Sequence, residues 1–206
     1  GYKHGGMTAD RLTSWPAAQA IEAMDECCLA CAIGSVSTPG VWFGDAAAAR
    51  KVADILAVFT KKTPYVGAFG NGMRMKFIAN HMVAIYNVAV GETMTFARKM
   101  GLDAQQVWDL FATSPVIGHG VFKLRGKFMV DRKYLPATMK VEVWQKDMQV
   151  IGDMAKSVDC PTPLFSACVP IFNAAMAQGL SQHDTASVCE VLDRMAGGTA
   201  KKKRKR

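Results

Sequence analysis

Thirty consecutive residues, NGMRMKFIANHMVAIYNVAVGETMTFARKM (Asn71–Met100), contain no proline. Proline removes a backbone donor and clashes with the preceding turn, so its absence leaves a long helix open. At 1.5 Å per residue the stretch predicts about 40–45 Å of helix. Gly91 is its weakest interior position, because glycine costs about 1 kcal/mol relative to alanine there. Gly101 supplies a stop, and Asp103 is placed to cap the next helix, AQQVWDLFAT. Such a helix presents an apolar face too long for the rest of the chain to cover. The sequence therefore predicts pairing with a second copy, or docking into a larger assembly.

The segments before this helix read differently. Residues 1–16 are an irregular lead-in ending at Trp15-Pro16. Residues 17–33 are alanine-rich with apolar residues at helical spacing. Residues 34–40 (GSVSTPG) carry turn chemistry. VWF (Val41–Phe43) reads as a short strand. Asp45 is a good N-cap for a helix over Ala46–Phe59, with Val52, Ile55, Leu56 and Phe59 on one face. YVG (Tyr65–Gly67) is a second short strand. After Met100 almost everything predicts helix, down to a last one around Thr185–Met195.

Composition narrows the class. Of 206 residues, half are apolar and 20% charged, ordinary for a globular chain. The formal net charge is +8, and the last six residues, Lys201–Arg206, are all basic. The positive character thus belongs to a tail and not to a fold-wide patch. Six cysteines (Cys27, Cys28, Cys31, Cys160, Cys168, Cys189) follow no secretory signal, which predicts free thiols in a reducing compartment. No apolar run is long enough for a membrane span. The start, GYKHGG, has no initiator Met; it fits a processed chain or one that begins inside a larger ancestral domain.

The glycine cluster GAFGNG (Gly67–Gly72) invites comparison with a phosphate-cradling loop. A dinucleotide fingerprint has the order G-x-G-x-x-G, with an acidic residue ending the next strand. Here the order is reversed, and Glu92, twenty residues past Gly72, falls inside the helical run. The glycines instead predict a sharp turn into the long helix. Lys76 and Asn80 follow, four residues apart and so on one helical face. A lysine partly desolvated near a helix N-terminus has its charged form disfavoured, which suits general acid/base work. The spacing fits an ordinary solvated lysine equally well.

GAFGNGMRMKFIAN resembles the G-x-x-G-x-G-x-x-x-K-x-x-x-N motif of the β-hydroxyacid dehydrogenases, the group of 3-hydroxyisobutyrate dehydrogenase and 6-phosphogluconate dehydrogenase. Three further pieces resemble the family in order. They are VWFGDAAAARKVADILAVFTKKTPYVGAFG, GETMTFARKMGLD, and VEVWQKDMQVIGDMAKSVDCPTPL with its pair Lys146-Asp147. Together they span about Val41 to Leu192. The resemblance implies that Lys76 exchanges a proton with the substrate hydroxyl while hydride passes to NAD or NADP. It implies that Asn80 holds the substrate, that Gly72 lies near its carboxylate, and that Lys146 reaches the cofactor. It also implies a homodimer built by the helical domain. The family's substrate-binding serine-glycine-glycine loop has only CAIGSVSTPG in its place, with Ser35 or Ser37 as the candidate remnant. The family's Rossmann half does not occur in the sequence, so a nicotinamide site is expected to need residues from another chain or from protein beyond this sequence.

Other candidates read as structural. Cys28-x-x-Cys31 lacks two further ligands nearby and reads as buried thiols. His81 follows Asn80 and reads as packing, or as a second wall of the same cleft. His119 lies in a glycine loop, SPVIGHG, that could cover a cleft. Trp108 and Trp144 read as core. The basic tail suits a solvated extension, a nuclear-import signal, or contact with RNA or phosphate.

The sequence thus predicts a mainly α fold. A truncated α/β Rossmann remnant (17–70) leads into a long interdomain helix and an all-α 6-phosphogluconate-dehydrogenase-like domain (71–195), then a basic tail (196–206). Two functions compete. One is a nicotinamide-dependent 3-hydroxyacid dehydrogenase. The other is an inactive structural subunit of a larger, RNA-containing mitochondrial complex. A mitochondrial or cytoplasmic compartment is expected by analogy, or a nuclear one from the tail.

Overall fold

A computed structural model describes residues 66–68 and 70–198, together with Ala47 and Arg50. Most of the expected Rossmann remnant, with its first short strand, Ser35, Ser37 and the Cys28–Cys31 pair, lies outside the described residues, as does the basic run 201–206; of the second expected strand, Val66 and Gly67 are described and lie in irregular, bending chain before the long helix, not in a strand. Ala47 and Arg50 are helical, in line with the helix expected there. The chain divides into two compact units, residues 1–76 and 77–206.

Six α-helices are described: α1 (Asn71–Lys99), α2 (Ala104–Ala112), α3 (Gly120–Asp131), α4 (Val141–Ser157), α5 (Pro163–Ala177) and α6 (Val188–Met195), with a 3-10 turn at Thr185–Ser187 before α6. No strand occurs among the described residues; Lys140 and Asp184 form an isolated bridge. The fold is mainly helical, as the sequence predicts. No helix among the described residues is long and apolar enough to cross a membrane.

Local chemistry sets the ends of α1. Gly67 and Gly70 both have φ +88°, the left-handed turn expected of the glycine cluster. Asn71 Nδ2 donates to Val66 O at 3.0 Å and closes that turn. At the other end Gly101 (φ +79°) lets the chain reverse. The Gly101 and Leu102 amides then donate to the Arg98 and Ala97 carbonyls at 3.0 and 2.9 Å, a Schellman stop. Asp103 caps α2 as predicted, accepting from Gln105 N at 2.7 Å.

The second unit closes over one main core. Ala84, Val88, Met94, Phe122, Met129, Trp144, Ile151, Phe165 and Phe172 are buried in it. Trp144 is core, as read from the sequence; Trp108 is half-buried, donating to Lys123 O at 3.2 Å. Burial of these side chains is the main favourable term for folding, at about 25 cal/mol per Å² of apolar area. Two polar clusters flank that core, one of them reaching the surface through Arg132. Arg98 donates to Asp193 at 2.9 Å and to the Met129 carbonyl, while Arg132 pairs with Glu190 and Asp193, fastening α6 to α1 and α3. Asp184, fully buried, pairs with Arg125 at 2.7 Å and accepts from Thr138 and Met139 on the strand-like approach to α4. That clasp fixes where α4 starts, and α4 carries Lys146 and Asp147.

Candidate functional site

Asn80 is 4% exposed, and its Nδ2 donates to Asp147 Oδ2 at 2.8 Å. The two residues are 67 apart in sequence and on different helices. Each faces inward for a periodic reason. Asn80 shares the core face of α1 with Ala84, Asn87 and Val88. Asp147 shares that of α4 with Trp144, Met148 and Ile151. A buried carboxylate needs donors to offset its lost hydration, and the Asn80 amide is one.

Lys146, next to Asp147, points the other way. Its side chain is 75% exposed, with Nζ 3.9 Å from Asp147 Oδ1. At that distance and exposure the pair is loosely held. Lys76 lies one helical turn ahead of Asn80 on α1 and is half-buried; Gly72 is buried in the first turn. First-turn amides of a helix have no intrahelical acceptor and favour an anion. Asn80 and Asp147 are thus brought together, with Lys146 exposed beside Asp147 in sequence. Ser35 and Ser37 lie outside the described residues.

The sequence named Asp147 only as half of a Lys-Asp pair, and its link to Asn80 carried no local signal. His81 and His119 each make a structural contact. His81 stacks on buried Phe165, ring centroids 5.3 Å apart. His119 caps α3, Nδ1 accepting from Phe122 N at 3.2 Å, and stacks on Tyr86 at 4.1 Å. Burial lowers its pKa, which keeps the ring neutral and the accepting lone pair available. Thiol chemistry is disfavoured at two cysteines. Burial and then Glu92 push Cys168 up to about 11, and burial raises Cys189. No group of His, Cys, Asp or Glu among the described residues is arranged to hold a metal ion. A cleft of about 660 Å³ runs between α4 and α5, walled by Gln145, Gln149, Lys156, Phe165, Ser166 and Asn173 among others. Asn80, Lys146 and Asp147 do not line it.

Residues 70–192 match the family described as "NAD-binding of NADP-dependent 3-hydroxyisobutyrate dehydrogenase". The chain belongs to this family. The matched segment contains Gly72, Lys76, Asn80 and Lys146. The 2-hydroxy-3-oxopropionate reductase of Escherichia coli K12 is 30% identical over 158 residues, covering 74% of this chain and 52% of that protein. Chloroplastic glyoxylate/succinic semialdehyde reductase 2 of Arabidopsis thaliana is 29% identical over 149 residues, covering 72% of this chain and 41% of that protein. A crystal structure of 3-hydroxyisobutyrate dehydrogenase from Salmonella typhimurium matches with a TM-score of 0.66 at 23% identity, over 72% of this chain and 52% of that one. At that identity the match speaks for the fold alone. The chain spans about half the length of the curated relatives it matches.

The cofactor class implied by the sequence, NAD or NADP, is the one in the family's description. Lys146 fits such a group: an exposed cation on the second turn of α4 is what a cofactor phosphate needs. The 206 residues contain no G-x-G-x-x-G to cradle a pyrophosphate.

Proposed function

We propose that this chain provides the helical half of an NAD(P)-dependent β-hydroxyacid dehydrogenase acting on a small 3-hydroxy acid. The observation that carries the reading is the family match, which runs through the segment holding Lys76, Asn80 and Lys146 at motif positions. In this reading Lys76 Nζ takes the hydroxyl proton during oxidation and returns it during reduction. A bound nicotinamide supplies the two-electron acceptor for the hydride leaving the carbinol carbon. Asn80 holds the reacting end of the substrate. The amides around Gly72 hold its carboxylate, and Lys146 binds a phosphate of the cofactor. The remaining pyrophosphate contacts come from residues outside this sequence. The exposed apolar stripe of α1 (Ile78, Met82, Phe96), continued by Met100 just past its end, packs against a second copy.

Titrating the chain, joined to the residues that supply the pyrophosphate contacts, with NADH and NADPH, followed by nicotinamide fluorescence, tests this. Saturable binding of one nucleotide is expected when the residues that contact the pyrophosphate are present with the chain, with Lys76→Ala abolishing turnover and leaving nucleotide affinity within about twofold. Failure to bind either would leave the chain as a non-catalytic assembly subunit built on this domain.

A further inference from the structure

We propose that the run Lys201–Arg206, together with Lys99, Lys133 and Arg194 at its root, binds the phosphate backbone of double-stranded nucleic acid without reading its sequence. None of these residues takes part in the dehydrogenase reading.

The charge is concentrated in one place. Of the formal net charge of +8, the six basic residues 201–206 supply six, leaving 8 − 6 = +2 for the rest of the chain. The run itself lies outside the described residues, but the chain leading to it is described as far as Gly198. There α6 ends in a Schellman stop. The Gly197 amide donates to Arg194 O at 3.0 Å and the Gly198 amide to Asp193 O at 2.7 Å, both glycines at positive φ. Lys99 Nζ donates to Ala196 O at 2.9 Å, so the last turns of α1 and α6 meet at this point.

The root carries cations that the fold does not neutralise. Lys99, Lys133 and Arg194 are exposed, and none of them pairs with a carboxylate among the described residues. Arg194 Nη1 donates instead to Gln178 Oε1 at 2.7 Å. Lys133 follows Arg132, whose pairing with Glu190 brings the end of α3 to α6. The neighbouring carboxylates are taken up within the fold. Asp193 meets Arg98 and Arg132, Glu190 meets Arg132, Asp131 meets Lys127, and Asp103 caps α2. The three root cations are therefore left for an anion from outside.

A duplex suits this chemistry better than other polyanions. Six residues span at most about 20 Å when extended. Over about 20 Å of axis a duplex presents roughly twelve phosphates, one per about 1.7 Å, enough for every cation of the run. A lipid surface holds a basic segment firmly only with an apolar or acyl anchor beside it. Residues 196–206, AGGTAKKKRKR, supply no such anchor. They also hold no aromatic ring on which an unpaired base could stack, which sets the duplex above a single strand. Contacts to phosphate alone carry no sequence information.

Fluorescence anisotropy of a labelled DNA duplex of about 20 base pairs, titrated with the full chain between about 50 and 200 mM salt, tests this. Each neutralised phosphate contributes about −0.9 to the slope of log affinity against log salt. Six to nine contacts give an expected slope of about −5 to −8, with two unrelated sequences bound within about threefold of each other. A chain ending at Ala200 keeps all of α6 and the Lys99 contact, and its slope should fall to about −3 or shallower. Lys133→Gln with Arg194→Gln in the full chain should make the slope shallower by about 2. A full-chain slope shallower than about −4 overturns the proposal. So does a chain ending at Ala200 that binds as tightly as the full one. A slope unchanged by the double substitution removes Lys133 and Arg194 from the site. Tighter binding to phosphatidylserine vesicles than to the duplex, at equal anionic charge, overturns the choice of nucleic acid. Should the shortened chain not fold, the full-chain slope and the vesicle comparison decide.

Discussion

A Cβ placed on Gly91 would lie 3.0 Å from Leu192 Cδ1 and 3.5 Å from the Cys189 backbone. The glycine that looked like the weak point of α1 therefore lies close against α6. Replacing it with valine adds helix propensity but drives a branched side chain into a filled contact. Overpacking of this kind costs about 1–3 kcal/mol. Gly91→Val should accordingly lower the urea midpoint; a midpoint equal to or above wild type would show that α6 gives way freely. The sequence could not announce this contact, because its partner lies about a hundred residues further on. The same holds for Asp147 and Asn80. What was legible at this scale was strictly local: the φ-positive glycines at 67, 70 and 101, and the Asp103 cap. His119 was missed because histidine is an uncommon cap, although it stands just before the apolar run that opens with Val121 and Phe122.

Helices were legible where their apolar period was unbroken, as in α1, α2 and α4. What stayed hidden was how the elements are tied together. The approach to α4 is held by Asp184, which accepts from Arg125 Nη1 at 2.7 Å, Thr138 Oγ1 at 2.7 Å and the Ala186 amide at 2.9 Å. Burial works to raise the Asp184 pKa. Arg125 and these hydrogen bonds outweigh it and hold the carboxyl below the usual carboxylate range. A folded pKa below the unfolded one gives stability that is fully present above the unfolded value, about 3.9, and is lost as pH falls through the folded one. Asp184→Asn leaves Arg125 buried without its counter-charge, and breaking such a pair costs about 3–5 kcal/mol. Chemical denaturation should show that deficit at pH 7 and a smaller gap between variant and wild type near pH 2. A gap that does not shrink in acid would mean that the carboxylate's charge contributes nothing to the clasp.

At the scale of the whole molecule, the unresolved matter in the fold is what meets the outer side of α1. On the helical period Ile78, Met82, Ala89, Phe96 and Met100 fall along one stripe, opposite the core positions Asn80, Ala84, Asn87 and Met94. Ile78 is 60% exposed, Phe96 67% and Met100 64%, with Arg74, Glu92 and Lys99 beside the stripe. Exposed apolar residues recurring on one side of a helix about 44 Å long are what a contact between copies would bury. A two-fold partner would bury the same stripe of both copies, since an isologous contact uses one patch twice. Sedimentation at micromolar concentration should therefore show a dimer. Phe96→Glu should shift it to monomer by at least about tenfold in dissociation constant, because the charge would be desolvated on both sides of the axis. The same substitution on an exposed site should leave the helical signal intact. If the wild type sediments as a monomer, or Phe96→Glu sediments as the wild type does, the stripe is not the contact between copies.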